Sequence, residues 1–244
     1  MTAPLRIHRD SGAPPFVTAH RGLSSQAPEN TLAAFRRAVE AGADMLELDV
    51  HLTADDRVAV IHDRTLQRTT TGNGGVRAYT SGDISEFDAG SGFDPEFTTE
   101  RVPMLEDVLA VARDRCWLNV ELKSHAFHQE RPGIFERRVL DAVRNGGMLD
   151  RTIFTSFDHR LVRGIREVEP SAVTGILYHW HSNLFRPPSV IASRCGASVF
   201  ICSASQLSPA FLRDAKVAGL GVSVYTVNDP QEAYRLADRG VDGI

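Results

Sequence analysis

A pair of acidic residues inside an apolar run constrains this chain more than any other feature. Residues 44–63 read DMLELDVHLTADDRVAVIHD, and Glu47 and Asp49 stand two positions apart among apolar side chains. Because side chains alternate across a β-strand, both carboxylates project from the same face. Two such carboxylates repel each other and lose hydration, so that face requires a cation or another positive partner.

The same stretch predicts a return of the chain. Residues 54–57 (ADDR) are a turn signal, and residues 58–61 (VAVI) are typical of a second strand. A hairpin centred on this turn pairs Asp49 with His62, which brings a histidine beside the acidic pair. A shift of one residue would turn His62 to the opposite face, and a parallel pairing normally needs a longer connection.

Composition and charge exclude several classes of protein. The chain has 244 residues, 42% of them hydrophobic, and a net charge of −4, so no broad basic surface indicates nucleic acid binding. Neither a signal peptide nor a run long enough to span a membrane is apparent, so we expect no stable membrane insertion and a cytoplasmic location. Three cysteines without a CxxC motif predict reduced thiols. The oligomeric state is not predicted.

The order of elements predicts an α/β fold. Eight strands are expected, starting at residues 16, 45, 58, 117, 152, 173, 198 and 221, with helices between most of them. This alternation implies a mainly parallel sheet, and eight strands in a chain of this length favour a closed TIM (β/α)8 barrel. An open doubly wound sheet is the second choice, weakened because no GxGxxG follows a strand.

We expect a single domain over residues 1–244, with residues 64–102 as an insertion after the third strand. This segment is rich in Thr, Gly, Ser and Asp, and loops of such length tend to be functional. Asn30 is predicted to cap the first helix, residues 31–41. The apolar residues Leu184 and Phe185 offer contact with a lipid chain, but we expect them to pack under the insertion.

Charged side chains gather at the predicted strand ends. They come from four strands, and in a barrel the carboxyl ends of the strands carry the chemistry. The residues are His20, Arg21, Glu47, Asp49, His62, Glu121 and Lys123. Taken singly each has an ordinary interpretation: Glu121 and Lys123 form a structural ion pair, Glu47 pairs with Arg21 or Arg37, and each histidine is partly buried.

Taken together, these residues indicate metal-assisted phosphodiester cleavage. Three carboxylates form an oxygen site suited to Mg²⁺ or Ca²⁺ more than to zinc. Arg21 and Lys123 provide positive charge for an anion such as phosphate. His20 and His62 provide proton transfer near neutral pH. Two loop histidines, His125 and His179, are weaker candidates for substrate contact, and we interpret the remaining histidines as ordinary.

The motifs resemble those of the glycerophosphodiester phosphodiesterase family, part of the phosphoinositide phospholipase C-like group of TIM-barrel phosphodiesterases. The similar segments follow the family's order over almost the whole chain. They are 20–22 (HRG), 28–31 (PENT), 47–50 (ELDV), 60–63 (VIHD), 68–70 (RTT), 120–123 (VELK), 156–158 (SFD), 225–228 (YTVN) and 240–244 (GVDGI).

The resemblance implies a TIM barrel that hydrolyses glycerophosphodiesters to sn-glycerol 3-phosphate and an alcohol, with a small-molecule substrate and a divalent cation. Carried over, Glu47, Asp49 and Glu121 are the metal ligands. His20 and His62 are the acid–base pair. Arg21, Lys123 and the Asn30 amide contact phosphate.

Two departures from the family pattern matter. Tyr225 stands where the family usually has Trp, which keeps an apolar wall for glycerol but adds a hydroxyl. The family sequence continues beyond Gly-Ile, whereas this chain ends at Ile244, so we expect either a short sequence or a less well closed last strand.

Alternatives to this hydrolase remain open. A lysophospholipase D, or a lyase of the phospholipase C or sphingomyelinase D kind, shares the barrel and the histidine pair, and a stable cyclic phosphate product would identify the lyase. A phosphate-ester binding protein without activity ranks last, because all five residues of the metal and histidine set are present.

Overall fold

Parallel strands and the helices between them make up most of the computed structural model, which describes residues 5–124 and 131–244. The predicted contact residue His125 lies outside these ranges. The strands are β1 (Thr18–His20), β2 (Met45–Leu52), β3 (Val58–Val60), β4 (Trp117–Leu122), β5 (Thr152–Ser156), β6 (Val173–Leu177), β7 (Val199–Ser203) and β8 (Gly221–Tyr225).

The helices alternate with the strands along most of the described chain. They are α1 (Leu32–Glu40), α2 (Ser81–Ile84), α3 (Leu105–Ala112), α4 (Ile134–Asn145), α5 (His159–Val168), α6 (Trp180–Asn183), α7 (Pro188–Cys195), α8 (Pro209–Val217) and α9 (Pro230–Asp238). Within residues 5–124 and 131–244, no helix has both the length and the apolar character needed to cross a bilayer.

One curled sheet carries the fold. Its strand order is β1-β2-β4-β5-β6-β7-β8, and every neighbouring pair on this path is parallel. Gly243 forms parallel bridges with Ser223 and with Phe16. The Thr18 N–H donates to the Ile244 carbonyl at 2.8 Å. The last residues therefore join the two sheet edges, so the second of the two alternatives, a less well closed last strand, is not what the structure has.

The third predicted strand is not part of this barrel. Strand β3 pairs antiparallel with β2 and, through one bridge, with Met104, and residues 242–244 take the remaining position between β8 and β1. Counting β3 as one of the eight barrel strands was therefore wrong. A short buried apolar run has the same sequence pattern whether the strand belongs to a hairpin or to a barrel. Periodicity therefore does not distinguish the two positions.

The predicted hairpin register was also wrong, by one residue. Val50 lies opposite Val60, and the Ile61 N–H donates to the Asp49 carbonyl at 2.9 Å, so Asp49 faces Ile61 and not His62. Asp56 adopts a left-handed φ of 57°, and the Thr53 N–H bonds the Arg57 carbonyl at 2.9 Å. This closes a three-residue turn where an even-numbered one was expected.

Side chains along β2 alternate between the apolar core and the candidate site. Leu46, Leu48 and Val50 join the main apolar cluster between sheet and helices, together with Phe35 of α1 and Leu118 of β4. Glu47 and Asp49 point the other way, into the barrel. The predicted same-face geometry of the acidic pair is therefore present.

The long connection between β3 and α3 has its own small core. The residues of this core are buried and pack against one another; they are Ala59, Ile61, Leu66, Val76, Ile84, Ala89 and Val102. The predicted division into a single domain of residues 1–244 with a 64–102 subdomain stays a prediction.

Two local expectations were wrong. Thr31, not Asn30, caps α1, because its hydroxyl accepts the Ala34 N–H while Asn30 takes a φ of 57°. Leu184 and Phe185 do not pack under the insertion, since they are 67% and 64% exposed.

Candidate active site

The predicted site residues converge at the carboxyl end of the barrel. His20 ends β1 and lies opposite Glu47 of β2, while Asp49 lies opposite Glu121 of β4. One cavity is lined by residues of this face, among them His20, Arg21, Glu47, His62, Glu121, Lys123 and Tyr225, and also by residues nearer the amino ends of the strands, such as Phe16 and Met45. The predicted substrate contact His179 is exposed and is not among the described residues that line it.

Three carboxylates meet at this cavity, and two of them, Glu47 and Glu121, line it. One oxygen from each of Glu47, Asp49 and Glu121 lies within 4.8 Å of the others, and all three residues are buried. Neighbouring parallel strands bring their side chains together in register, which explains this approach. An all-oxygen donor set of this kind fits a hard divalent cation, so the buried acidic triad can hold a metal ion.

Burial and mutual repulsion change the charge of two of these acids. Burial, followed by the negative charge of Asp49, raises the pKa of Glu121 to about 7. The same causes, with Glu121 added, raise the pKa of Glu47 well above its usual range. Without a cation these two glutamates therefore hold their protons to a higher pH than an exposed glutamate does.

Asp49 behaves differently because two cations face it. Lys123 Nζ lies 3.2 Å from Asp49 Oδ1, and Arg21 Nε lies 3.2 Å from Asp49 Oδ2. Burial raises the pKa of Asp49, but the charges of Lys123 and Arg21 outweigh it and lower the net value. Lys123 also donates to Glu121 Oε1 at 2.7 Å, so the ion pair expected for these two residues forms.

The predicted phosphate ligand Asn30 has a different partner. It is buried, and its side-chain amide donates to Asp49 Oδ2 at 2.9 Å. The left-handed backbone at Asn30 aims the amide at this acid instead of at the helix. Asn30 therefore orients the carboxylate in this structure.

The two predicted acid–base histidines occupy different environments. Burial, followed by the positive charge of Arg21, lowers the pKa of His20. Its Nε2 lies 3.9 Å from Glu47 Oε2. His62 lies beyond the end of β3, where the chain bends, and its Nδ1 is 2.6 Å from Asp63 Oδ1. His62 lines the cavity although the hairpin register differs from the predicted one. It follows the end of β3, so the alternation of side chains along that strand does not fix its direction.

Sequence reasoning missed three residues around His62 and Arg21. Asp63 contacts His62, Arg68 contacts Asp63, and Glu29 accepts hydrogen bonds from both Arg68 and Arg21. Each stands inside or beside a motif that resembles the family, so their positions were visible. The contact between Arg68 and Glu29 was not, since these two residues are 39 positions apart in the sequence.

Tyr225 ends β8 and is one of the residues that line the cavity, while its role as an apolar wall for glycerol stays a prediction. Burial raises the pKa of its hydroxyl to about 12, so the phenol stays neutral at physiological pH. The hydroxyl can therefore donate a hydrogen bond at the cavity wall.

Comparison with known proteins agrees with this geometry. Residues 20–244 match the model of the Glycerophosphoryl diester phosphodiesterase family. A glycerophosphodiester phosphodiesterase of Caldanaerobacter subterraneus is 37% identical over 236 residues, covering 94% of this chain and 92% of that protein.

Two solved structures show the same fold. A glycerophosphodiester phosphodiesterase from Agrobacterium tumefaciens superposes with a TM-score of 0.81 at 33% identity, covering 94% of this chain and 95% of that one. An Oleispira antarctica phosphodiesterase, solved with the product sn-glycerol-3-phosphate, gives 0.84 at 27% identity, covering 94% and 92%. The chain is thus a TIM-barrel phosphodiesterase and belongs to the Glycerophosphoryl diester phosphodiesterase family.

Proposed function

We propose that this protein hydrolyses glycerophosphodiesters to sn-glycerol 3-phosphate and an alcohol, with Mg²⁺ or Ca²⁺ bound by Glu47, Asp49 and Glu121. One observation supports this most directly. Three buried carboxylates lie within 4.8 Å of one another, beside cationic side chains and two histidines in one cavity. The Oleispira relative with bound sn-glycerol-3-phosphate supports the product assignment.

A bound divalent cation would neutralise the phosphate charge and polarise its oxygens. The remaining roles belong to side chains of this protein. Arg21 and Lys123 bind the phosphate, since both guanidinium and ammonium groups pair with phosphate oxygens. Both already sit against Asp49, so their positions are set before substrate arrives.

His20 and His62 transfer the protons. The lowered pKa of His20 keeps its imidazole neutral near pH 7, which suits it to accept a proton. The contact with Asp63 leaves Nε2 of His62 available for the other transfer. Asn30 orients Asp49, and Tyr225 forms the wall against which the glycerol carbons pack.

The product distinguishes hydrolysis from lyase chemistry. Glycerophosphocholine is incubated with the protein, and phosphorus NMR follows the products over time. We expect sn-glycerol 3-phosphate to accumulate. A cyclic phosphate that persists would instead assign the protein to the lyases.

A second candidate is a lysophospholipase D, favoured by one observation. Leu184 and Phe185 are exposed in the loop that follows β6, at the same end of the barrel as the site. Such side chains can contact an acyl chain. Turnover of lysophosphatidylcholine that falls selectively in Leu184→Ser and Phe185→Ser variants would support it.

We further propose a reducing compartment such as the cytoplasm. Cys116, Cys195 and Cys202 are buried free thiols, which is typical of proteins kept reduced.

A further inference from the structure

Arg68 lies between two carboxylates and binds both with its guanidinium fork. Its Nε donates to Asp63 Oδ2 at 2.7 Å and its Nη2 to Asp63 Oδ1 at 3.1 Å. Toward Glu29, Nη1 donates to Oε2 at 3.0 Å and Nη2 to Oε1 at 2.8 Å. A planar guanidinium holds two bidentate partners in fixed directions, which a lysine cannot do.

The Asp63 side of this network ends at His62. Hydrogen bonds from Arg68 are the main cause that lowers the pKa of Asp63, so its carboxylate is ionised. An ionised carboxylate only accepts hydrogen bonds, and it lies 2.6 Å from His62 Nδ1. Nδ1 therefore carries the hydrogen, and Nε2 is left to exchange a proton with substrate.

The Glu29 side ends at Arg21. Glu29 Oε1 accepts from Arg21 Nη1 at 3.0 Å, and the same guanidinium lies against Asp49 through Nε. Glu29 is thus shared by two arginines. The network runs from His62 through Asp63, Arg68 and Glu29 to Arg21.

We propose that Arg68, Asp63 and Glu29 form a positioning unit that fixes the proton-transferring ring of His62 relative to the phosphate-binding guanidinium of Arg21. None of the three touches the reacting atoms in this assignment, so they are positioning residues. The inference rests on the proposed function, because it takes His62 and Arg21 as the groups that meet the substrate. Through Asp63 and Arg68, the connection between β3 and α3 would help to position the groups that meet the substrate.

Single variants separate the two ends of the unit. Asp63→Asn frees the His62 ring, so kcat for glycerophosphocholine should fall about a hundredfold or more with a smaller change in KM. Glu29→Gln loosens Arg21, so KM should rise about tenfold. Arg68→Lys keeps the charge but loses the fork, so both constants should change, by about tenfold to a hundredfold in kcat/KM.

Arg57→Lys is the matched control. Arg57 lies in the turn that leads into β3 and pairs with Glu106 at 3.1 Å, and its side chain is about as exposed as that of Arg68. It lies outside the network, so both constants should stay at the wild-type values. Equal losses in Arg57→Lys and Arg68→Lys would overturn the proposal, because they would reflect only the weakening of an arginine–carboxylate pair and not a particular effect on His62 and Arg21.

Combined variants test whether the three residues act as one unit. If Arg68 acts through its two carboxylates, adding Arg68→Lys to the Asp63→Asn, Glu29→Gln double variant should change kcat/KM less than about twofold further. A further loss as large as that in the Arg68→Lys single variant would show independent action and contradict the unit.

Nitrogen NMR of the His62 ring tests the same arrangement without substrate. The neutral ring should carry its hydrogen on Nδ1 in wild type and Arg57→Lys, and should become a mixture of tautomers in Arg68→Lys. If the wild type shows this pattern but cleaves no glycerophosphodiester, the proposed function fails while the positioning of His62 stands. If the wild type is active and Arg68→Lys changes neither the tautomer nor the kinetic constants, the positioning unit is wrong.

Discussion

Asp49 is the residue where the opposing charges of the site meet. Two cations and the Asn30 amide hold it ionised, while its neighbours Glu47 and Glu121 have raised pKa values. A divalent cation that binds this triad therefore has to displace protons from the glutamates. Affinity for the cation should increase as the pH rises through about 7, the pKa of Glu121.

The raised pKa of Glu121 also predicts how stability depends on pH in the metal-free protein. Its folded-state pKa is about 7 against an ordinary value of 4.5, so the folded state binds the proton more tightly. The free energy of unfolding should therefore fall as the pH rises from about 4.5 to about 7, by up to about 1.4 kcal/mol per pKa unit, and this contribution should level off above that.

Denaturant unfolding with a chelator present, at intervals from pH 5 to pH 8, measures this loss. Glu121→Gln should flatten the profile, and Glu106→Gln, at an exposed glutamate, should keep the wild-type shape. A wild-type profile that rises over this window would contradict the assigned pKa direction.

The residues of the site were predictable from the sequence, but many of their contacts were not. The two-residue spacing of Glu47 and Asp49 gives the shared face directly, because strand alternation is local. The amide of Asn30 on Asp49, and Arg68 between Asp63 and Glu29, depend on how distant loops close over one another. No local pattern encodes those approaches.

At the scale of elements, the β2–β3 hairpin shows where periodicity is insufficient. The strands were expected, but the choice between a hairpin arm and a barrel position depends on hydrogen-bond partners remote in sequence. The register depends on one left-handed residue, Asp56, inside the turn. Asp tolerates this conformation more readily than most residues, so the turn length was open.

The loop after β1 depends on a glycine. Gly22 has a φ of 79°, and a Cβ there would lie 2.6 Å from the Ala34 carbonyl carbon of α1. Gly22→Ala should therefore destabilise the protein by roughly 2 kcal/mol or more, since both backbone strain and overlap oppose it. It should also reduce activity, because His20 and Arg21 precede it directly.

Gly42→Ala is the control for that measurement. Gly42 has a similar φ of 84° but open space around the added Cβ, so it reports the conformational strain alone. Unfolding free energies from denaturant titration should show the larger loss at Gly22. Equal losses at the two positions would mean that contact with α1 does not constrain the loop.

At the scale of the whole molecule, the barrel is joined through its last residues. Asp242 is buried, and its carboxylate accepts the Val222 N–H at 2.8 Å while its own carbonyl accepts the Phe16 N–H at 2.8 Å. Lys216 pairs with the same carboxylate. Asp242 therefore hydrogen-bonds both to β8 and to the segment that leads into β1.

Asp242→Ala should weaken this junction. The Val222 N–H and Lys216 would lose their partner, which should cost about 2 to 4 kcal/mol of unfolding free energy. Amide hydrogen exchange should speed up at Phe16 and Thr18 more than in β4 or β5. Uniform acceleration across all strands would show that the junction is not a local feature.

Release of sn-glycerol 3-phosphate from glycerophosphocholine, measured after chelation and again with added Mg²⁺ or Ca²⁺, tests the central claim most directly. We expect release only with the cation, loss of both cation binding and release in Glu47→Gln, and retained binding with at least about a hundredfold slower release in His62→Ala. Glu136→Gln, at a buried glutamate outside the site, should behave like the wild type. Full release with chelator present, or unchanged release in Glu47→Gln or His62→Ala, would contradict the proposed metal and histidine chemistry.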